Sequence, residues 1–290
     1  MQSKNKIIKL SFIVILALLF SSFTHNNVYA DDLGLVGYWA FDDGRGNITK
    51  DLSVYSNNGI LINSPSWTIG KYGNALDFNS SANQYVSVTN SYVLNQSNSF
   101  SICSWGKSTS QGSLLYKGDT TVSGTNYALY FAPVAEFFVS TNTTHYSPGG
   151  SVSLIDGKYH FICGIYNNKI NKVYVYWDYL DGGSNVNSLN TSGNIQMSNS
   201  NLTIGKASLG ITNWNMSIDE VRLYNRALLP SEVSAMFLYG YPIATITTTT
   251  PSIIVLPNNT NNTGIMYMGA LLGIIAIALA ATVIYSKNRN

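Results

Sequence analysis

The chain has 290 residues, a formal net charge of +2 and only 10% charged side chains. Between residues 31 and 241, 8 Lys and 3 Arg face 11 Asp and 3 Glu, a net of −3, so the positive excess belongs to the two ends. A central region without a basic stripe argues against nucleic-acid binding, and the apolar ends raise the 45% hydrophobic content without implying a greasy middle.

Lys4, Lys6 and Lys9 precede an apolar run over 10–20, and Val28-Tyr29-Ala30 then offers a small-residue cleavage site. This order reads as a secretory signal peptide, residues 1–30, with an h-region short for a membrane span. Residues 31–240 read as one all-β domain. Its β-rich runs are "LVGYWAF" (35–41), "ALDF" (75–78), "QYVSV" (84–88), "FSICSWGK" (100–107) and "SLLYK" (113–117). Further on come "NYALYFA" (126–132), "YHFICGIY" (159–166), "KVYVYW" (172–177), "LTIG" (202–205) and "IDEVRLY" (218–224). Turn signals such as "DDGRGN", "SNNG" and "LDGGSN" fall between them, so a sandwich of two antiparallel sheets is expected. One short helix is expected over "PSEVSAMF" (230–237), with Pro230 at its first position and Val233, Met236 and Phe237 on one face.

Residues 241–264 are rich in Thr, Asn and Pro, carry no charge, and read as a stalk. Extended at ~3.1 Å per residue, the stalk reaches on the order of 70 Å. Residues 265–285 have no charged side chain and, at 1.5 Å per residue, form a helix of roughly 31 Å, the thickness of a bilayer core. Lys287 and Arg289 in the tail 286–290 then lie on the cytoplasmic side, which puts the β domain outside a single-pass cell-membrane protein. Asn-x-Ser/Thr sequons at Asn47, Asn79, Asn95, Asn142, Asn190, Asn201, Asn215, Asn258 and Asn261 are candidate glycosylation sites in such a location. Cys103 and Cys163 both fall mid-strand; outside the cell they read as a disulfide, or else as two buried thiols.

Three stretches resemble the LamG-like jellyroll domains of the concanavalin A-like lectin/glucanase superfamily. They are "GLVGYWAFDDGRGNITKDLSVYSNNGIL", "PSWTIGKYGNALDFNSSANQYVSV" and "SIDEVRLYNRALLPSEVSAMF", and the resemblance spans residues 33–239. It implies a jellyroll of two curved antiparallel sheets, often a structural calcium, and binding of carbohydrate or protein at a cell surface. The chain departs from the pattern twice. Leu229 stands where Ser often caps the last helix, and the usual D-S-S-G-N turn is lengthened to "DLSVYSNNG" (51–59).

Glucanases of this fold carry E-x-D-x-x-E or E-x-D-x-E on one strand, and none of Glu136, Glu220 and Glu232 fits that spacing. Asp219 and Glu220 are adjacent, so on a regular strand they point to opposite faces and cannot flank one glycosidic bond. His145 and His160 form no metal-binding pair by spacing. A non-catalytic surface binding or adhesion protein is expected, with carbohydrate as first-choice ligand. The alternatives are an envelope component contacting surface proteins and a glycosidase with an unrecognised site. Asp219 reads either as closing a hydrogen-bond set with Arg222 or backbone N–H groups, or, as the resemblance implies, as a Ca²⁺ ligand together with Asp43 or Asp51; no other cofactor is expected. Trp39, Trp67 and Trp105 read as core, whereas Trp177 and Trp214 are candidates for an exposed aromatic platform.

Overall fold

Alternation of apolar and polar side chains gives each strand a face to bury, and pairing stacks those faces into two sheets. The structure, a computed structural model, describes residues 33–240 except 120–124, 132, 143 and 208–213. The expected signal peptide (1–30), stalk (241–264), span (265–285) and tail (286–290) lie outside the described residues. Among the described residues no helix is long and apolar enough to cross a membrane.

One antiparallel sheet contains β1 (Leu35–Trp39), β4 (Ser66–Ile69), β5 (Asn74–Phe78), β7 (Phe100–Lys107), β12 (Tyr159–Asn167), β13 (Lys172–Trp177), β14 (Val186–Asn190) and β16 (Met216–Tyr224). Its order is β14-β13-β12-β7-β16-β5-β4, with β1 also paired to β16. The second sheet contains β2 (Ile48–Thr49), β3 (Gly59–Ile62), β6 (Tyr85–Val88), β8 (Gly112–Gly118), β9 (Thr125–Phe131), β10 (Ala135–Ser140), β11 (His145–Tyr146) and β15 (Leu202–Ile204). Its order is β11-β10-β9-β8-β15-β6-β3-β2. The main core fills the space between them, with Trp39, Phe41, Phe100, Phe131, Phe137 and Trp177 among its largest members. Gly164 of β12 lets the sheets close there, because a Cβ would lie 2.2 Å from the Phe137 ring.

The first sheet is apolar on its outer face too, and α1 (Pro230–Tyr239) covers it. Val233, Met236 and Phe237 pack on Trp105 and Phe161, with Phe237 stacked on Trp105 at 5.7 Å between ring centres. Leu229 supplies no side-chain cap to this helix. Glu232 serves instead: it accepts the Leu229 N–H at 2.8 Å and holds Arg226 through two bonds of 2.8 and 2.7 Å. Acceptance of an N-cap N–H by the N3 carboxylate is half of a capping box. Cys103 of β7 and Cys163 of β12 are directly opposed in register and joined by a disulfide beneath this layer.

Candidate binding face

Among the described residues no α-helix covers the second sheet, and its outer face presents the chemistry a ligand would meet. Inward positions Val86, Val88, Leu115, Leu129, Phe137, Leu202 and Ile204 belong to the core, so their neighbours along each strand point out. The register aligns Ser87, Thr203, Tyr116, Ala128 and Phe138 in one row across five strands. At about 4.8 Å between strands the row spans about 19 Å. A bulge in β8 between Ser113 and Leu115 keeps this row in phase by turning Leu114 inward beside Leu115.

Tyr116 and Ala128 are buried with Ala207, and half-exposed Tyr130, Phe138 and Trp214 pack against this small cluster. Glu136 of β10 lies opposite Tyr130 of β9. Burial pushes its carboxyl above the usual range, and no side-chain partner among the described residues offsets that rise. Next to this group a groove of about 350 Å³ runs between Tyr85, Tyr116, Asp119, Asn201, Thr203 and Lys206. Lys206 Nζ stands 4.4 Å from the centre of the Tyr85 ring and donates to Asn83 Oδ1 at 3.2 Å. The Tyr116 hydroxyl donates to the Asp119 carbonyl at 2.7 Å, which fixes one wall. Half-exposed rings beside an unpaired carboxylate, a lysine and amides can recognise a polyhydroxylated ligand through stacking and charge-assisted hydrogen bonds.

The two tryptophans singled out in the sequence part company. Trp177 ends β13 in phase with Val173 and Val175, faces the main core, and is 3% exposed, so it is no platform. Trp214 reaches the margin of the candidate face. Tyr130 and Phe138 carry no motif in the sequence, and Glu136 enters there only as a carboxyl outside the glucanase spacing. Their signal is the alternation in "NYALYF" and in "AEFFVS", which places Tyr130, Glu136 and Phe138 on the outward side of β9 and β10.

The acidic doublet does not alternate. Glu220 has φ 56°, and the register of β16 against β7 slips between Asp219 and Arg222. This bulge turns both acids to the helix-covered side, contrary to the expectation of opposite faces. Asp219 lies opposite Trp105 and accepts the Tyr72 N–H at 3.0 Å through Oδ2. Glu220 pairs with Arg222 at 2.7 Å and accepts the Tyr38 hydroxyl at 3.0 Å. They are 0% and 4% exposed, so they present no carboxylate pair to solvent. Desolvation pushes Asp219 up to about 7, outweighing its backbone hydrogen bonds.

Asp43, Asp51 and Asp219 do not fit a calcium site. Among the described residues no three His, Cys, Asp or Glu side chains gather as metal ligands. Asp51 is engaged by the Tyr38, Ser53 and Asn57 N–H groups and the Ser53 hydroxyl, all at 2.8–2.9 Å. Asp43 accepts the Lys50 N–H at 3.1 Å, and Asp219 sits under the loop at Tyr72. The lengthened turn is thus closed on Asp51 by its own donors.

Of the sequons, Asn47, Asn79, Asn142, Asn190, Asn201 and Asn215 are exposed, and Asn95 is half-buried with its Oδ1 enclosed. Asn258 and Asn261 lie outside the described residues.

A laminin-G-type family model, described as the concanavalin A-like lectin/glucanases superfamily, matches residues 79–234. No curated protein matches the chain. Among solved structures, the binding domain of Paraclostridial Mosquitocidal Protein 1 is similar at 17% identity and a TM-score of 0.56, over 70% of this chain and 52% of that one. Domain 4 of AbnA, a GH43 extracellular arabinanase from Geobacillus stearothermophilus in complex with arabinotriose, is similar at 18% identity and 0.55, over 71% and 98%. The binding domain of Botulinum Neurotoxin DC in complex with SialylT is similar at 13% and 0.54, over 72% and 52%. The chain therefore spans about half of the toxin binding domains and nearly all of the arabinanase domain. At these identities the likeness is one of fold.

Proposed function

The chain belongs to the concanavalin A-like lectin/glucanases superfamily, and on that footing we propose that it is a non-catalytic saccharide-binding protein displayed at the cell surface for adhesion. The observation that carries this reading is the half-exposed group Tyr130, Phe138 and Trp214 beside the unpaired carboxyl of Glu136. Apolar C–H faces of sugar rings stack on aromatic faces, and a carboxylate accepts from neighbouring hydroxyls. The groove between Tyr85 and Lys206 extends the same surface toward further sugar units. The arabinanase domain, matched along nearly its whole length and solved with arabinotriose, supports a saccharide ligand. The half-matched toxin domains, one solved with SialylT and one with rat synaptotagmin II, support binding in general. The enclosure of Asp219 and Glu220 favours binding without turnover. Signal peptide, stalk and span would set the domain outward, anchored in the membrane.

A glycan array probed with the full-length chain tests this. Saturable binding weakened about tenfold or more by Trp214→Ala and by Glu136→Gln is expected, a loss of about 1.4 kcal/mol or more. Ordered self-assembly without glycan binding would favour an envelope role instead, and hydrolysis of a bound glycan would overturn the non-catalytic reading.

A further inference from the structure

A second cleft, away from this face, opens beside the start of β1 and the end of β16. It measures about 260 Å³ and is lined by Tyr55, Tyr92, Asn95, Gln96, Asn98 and Asn225 among others, none of them charged. Tyr92 is 82% exposed and Tyr55 40%, so both rings are offered to solvent. Tyr92 opens a 3-10 turn, Tyr92–Leu94, whose Val93 and Leu94 are buried and anchor it. Tyr55 comes from the lengthened turn, where Asp51 ties down Ser53 and Asn57 while Val54 and Tyr55 project outward. The residues inserted in that turn thus deliver an aromatic ring to the cleft.

The polar lining is made of carboxamides, each able to donate and to accept. Gln96 is held by its own donation to the Val93 carbonyl at 2.5 Å. Gly34 has φ 79°, and a Cβ there would lie 2.7 Å from Asn225 Oδ1, so glycine preserves the place of that amide. Asn95 Oδ1 is enclosed and without a hydrogen-bond partner. That oxygen has no surface open to the cleft, so the amides of Asn98 and Asn225 are the ones left to meet a ligand.

We infer that this cleft is a second saccharide subsite, selective for an uncharged sugar unit held between Tyr55 and Tyr92 with its hydroxyls on Asn98 and Asn225. The ligand class rests on the carbohydrate reading above; the location and the selectivity for neutral sugars do not. The groove on the sheet face carries Lys206, a counter-charge for an anionic glycan, whereas the cleft has no counter-charge for a carboxylated or sulfated sugar. Two sites on one domain give bivalent attachment and raise avidity on a dense glycan surface. Asn95-Gln96-Ser97 is itself a sequon inside the cleft, so a glycan on Asn95 and a bound sugar exclude each other.

The test uses the full-length chain in detergent, made without N-glycosylation and titrated calorimetrically with arabinotriose, cellotriose and maltotriose, and separately with sialyllactose. At least one neutral trisaccharide is expected to lose tenfold or more in affinity, or one of two sites, on Tyr92→Ala. Tyr92→Phe should retain binding, and sialyllactose should be indifferent to both changes. Tyr92 is so exposed that its truncation spares the fold. Neutral binding unchanged by Tyr92→Ala, or no neutral trisaccharide binding at all, overturns the inference. Neither result touches the sheet face, whose own failure would appear as Trp214→Ala and Glu136→Gln leaving every titration unaltered.

Discussion

Asp51→Asn separates a turn closed by hydrogen bonds from one closed by calcium. Asp51 is 6% exposed. Its Oδ1 accepts the N–H groups of Tyr38 at 2.8 Å and Ser53 at 2.9 Å; its Oδ2 accepts the Ser53 hydroxyl and the Asn57 N–H, both at 2.8 Å. An amide keeps one acceptor and turns the other into a donor. The Ser53 hydroxyl can rotate to accept from it, but a backbone N–H then faces an NH₂ with no acceptor between them. Losing one charge-assisted bond and leaving that buried donor unpaired costs about 3 kcal/mol. In a domain of this size that lowers Tm by about 6–12 °C. Thermal unfolding followed by circular dichroism, with and without EDTA, reads the shift. Wild type should melt at the same temperature in both buffers, and Asp51→Asn should melt lower in both. A variant within about 2 °C of wild type, or a wild-type Tm that falls equally on chelation, would refute the hydrogen-bond account of the turn.

Four further outcomes follow from the same structure. His160 donates through Nδ1 to Asp178 at 2.6 Å and through Nε2 to Asp156 at 2.9 Å, and the Asp178 bond chiefly raises its pKa above 6.5. Its contribution to stability is therefore complete below pH 6.5 and lost as pH rises through the raised value; His160→Gln should remove that slope from melts between pH 5 and 9. Burial lowers Lys117 to about 8 from 10.5, so the unfolded chain binds more protons between those values and stability should climb with pH across that window. Lys117→Met should abolish the climb and lower Tm at pH 7, since Asn90 Oδ1 and the Ser198 and Ser200 carbonyls lose their donor. Asp219, raised to about 7 from 3.8, should lose its stabilising contribution as pH rises between those values, and Asp219→Asn, which keeps an acceptor for the Tyr72 N–H, should melt no lower than wild type at pH 8. Trp177→Ala should cost about 3–5 kcal/mol by denaturant unfolding yet leave glycan affinity of the folded fraction unchanged, the reverse of Trp214→Ala.

Strands with apolar faces were legible in the sequence because burial demands them. "FSICSWGK" coincides with β7, and Pro230 marks the start of α1. The polar edge strand β14, with Asn187, Ser188 and Asn190, has no buried face to write an alternating pattern into the sequence. The two-residue strands β2 and β11 are too short to carry a period. The acidic doublet departs from expectation for a different reason: alternation is the default of an extended chain, and nothing in "IDEV" announces the positive φ of Glu220 that breaks it. Trp214, expected as an exposed platform from its loop position, is half-buried alongside Tyr130 and Phe138. Its neighbours Tyr130 and Glu136 meet only through the register of β9 with β10, which a single sequence does not display.

The most direct measurement is calorimetric titration of wild type, Trp214→Ala and Glu136→Gln, each as the full-length chain, against the strongest glycan found on the array. Saturable binding by wild type, weakened at least about tenfold in both variants while each remains folded at the titration temperature, is the result expected if the outer face of the second sheet holds sugar. Equal affinity in all three proteins would contradict it.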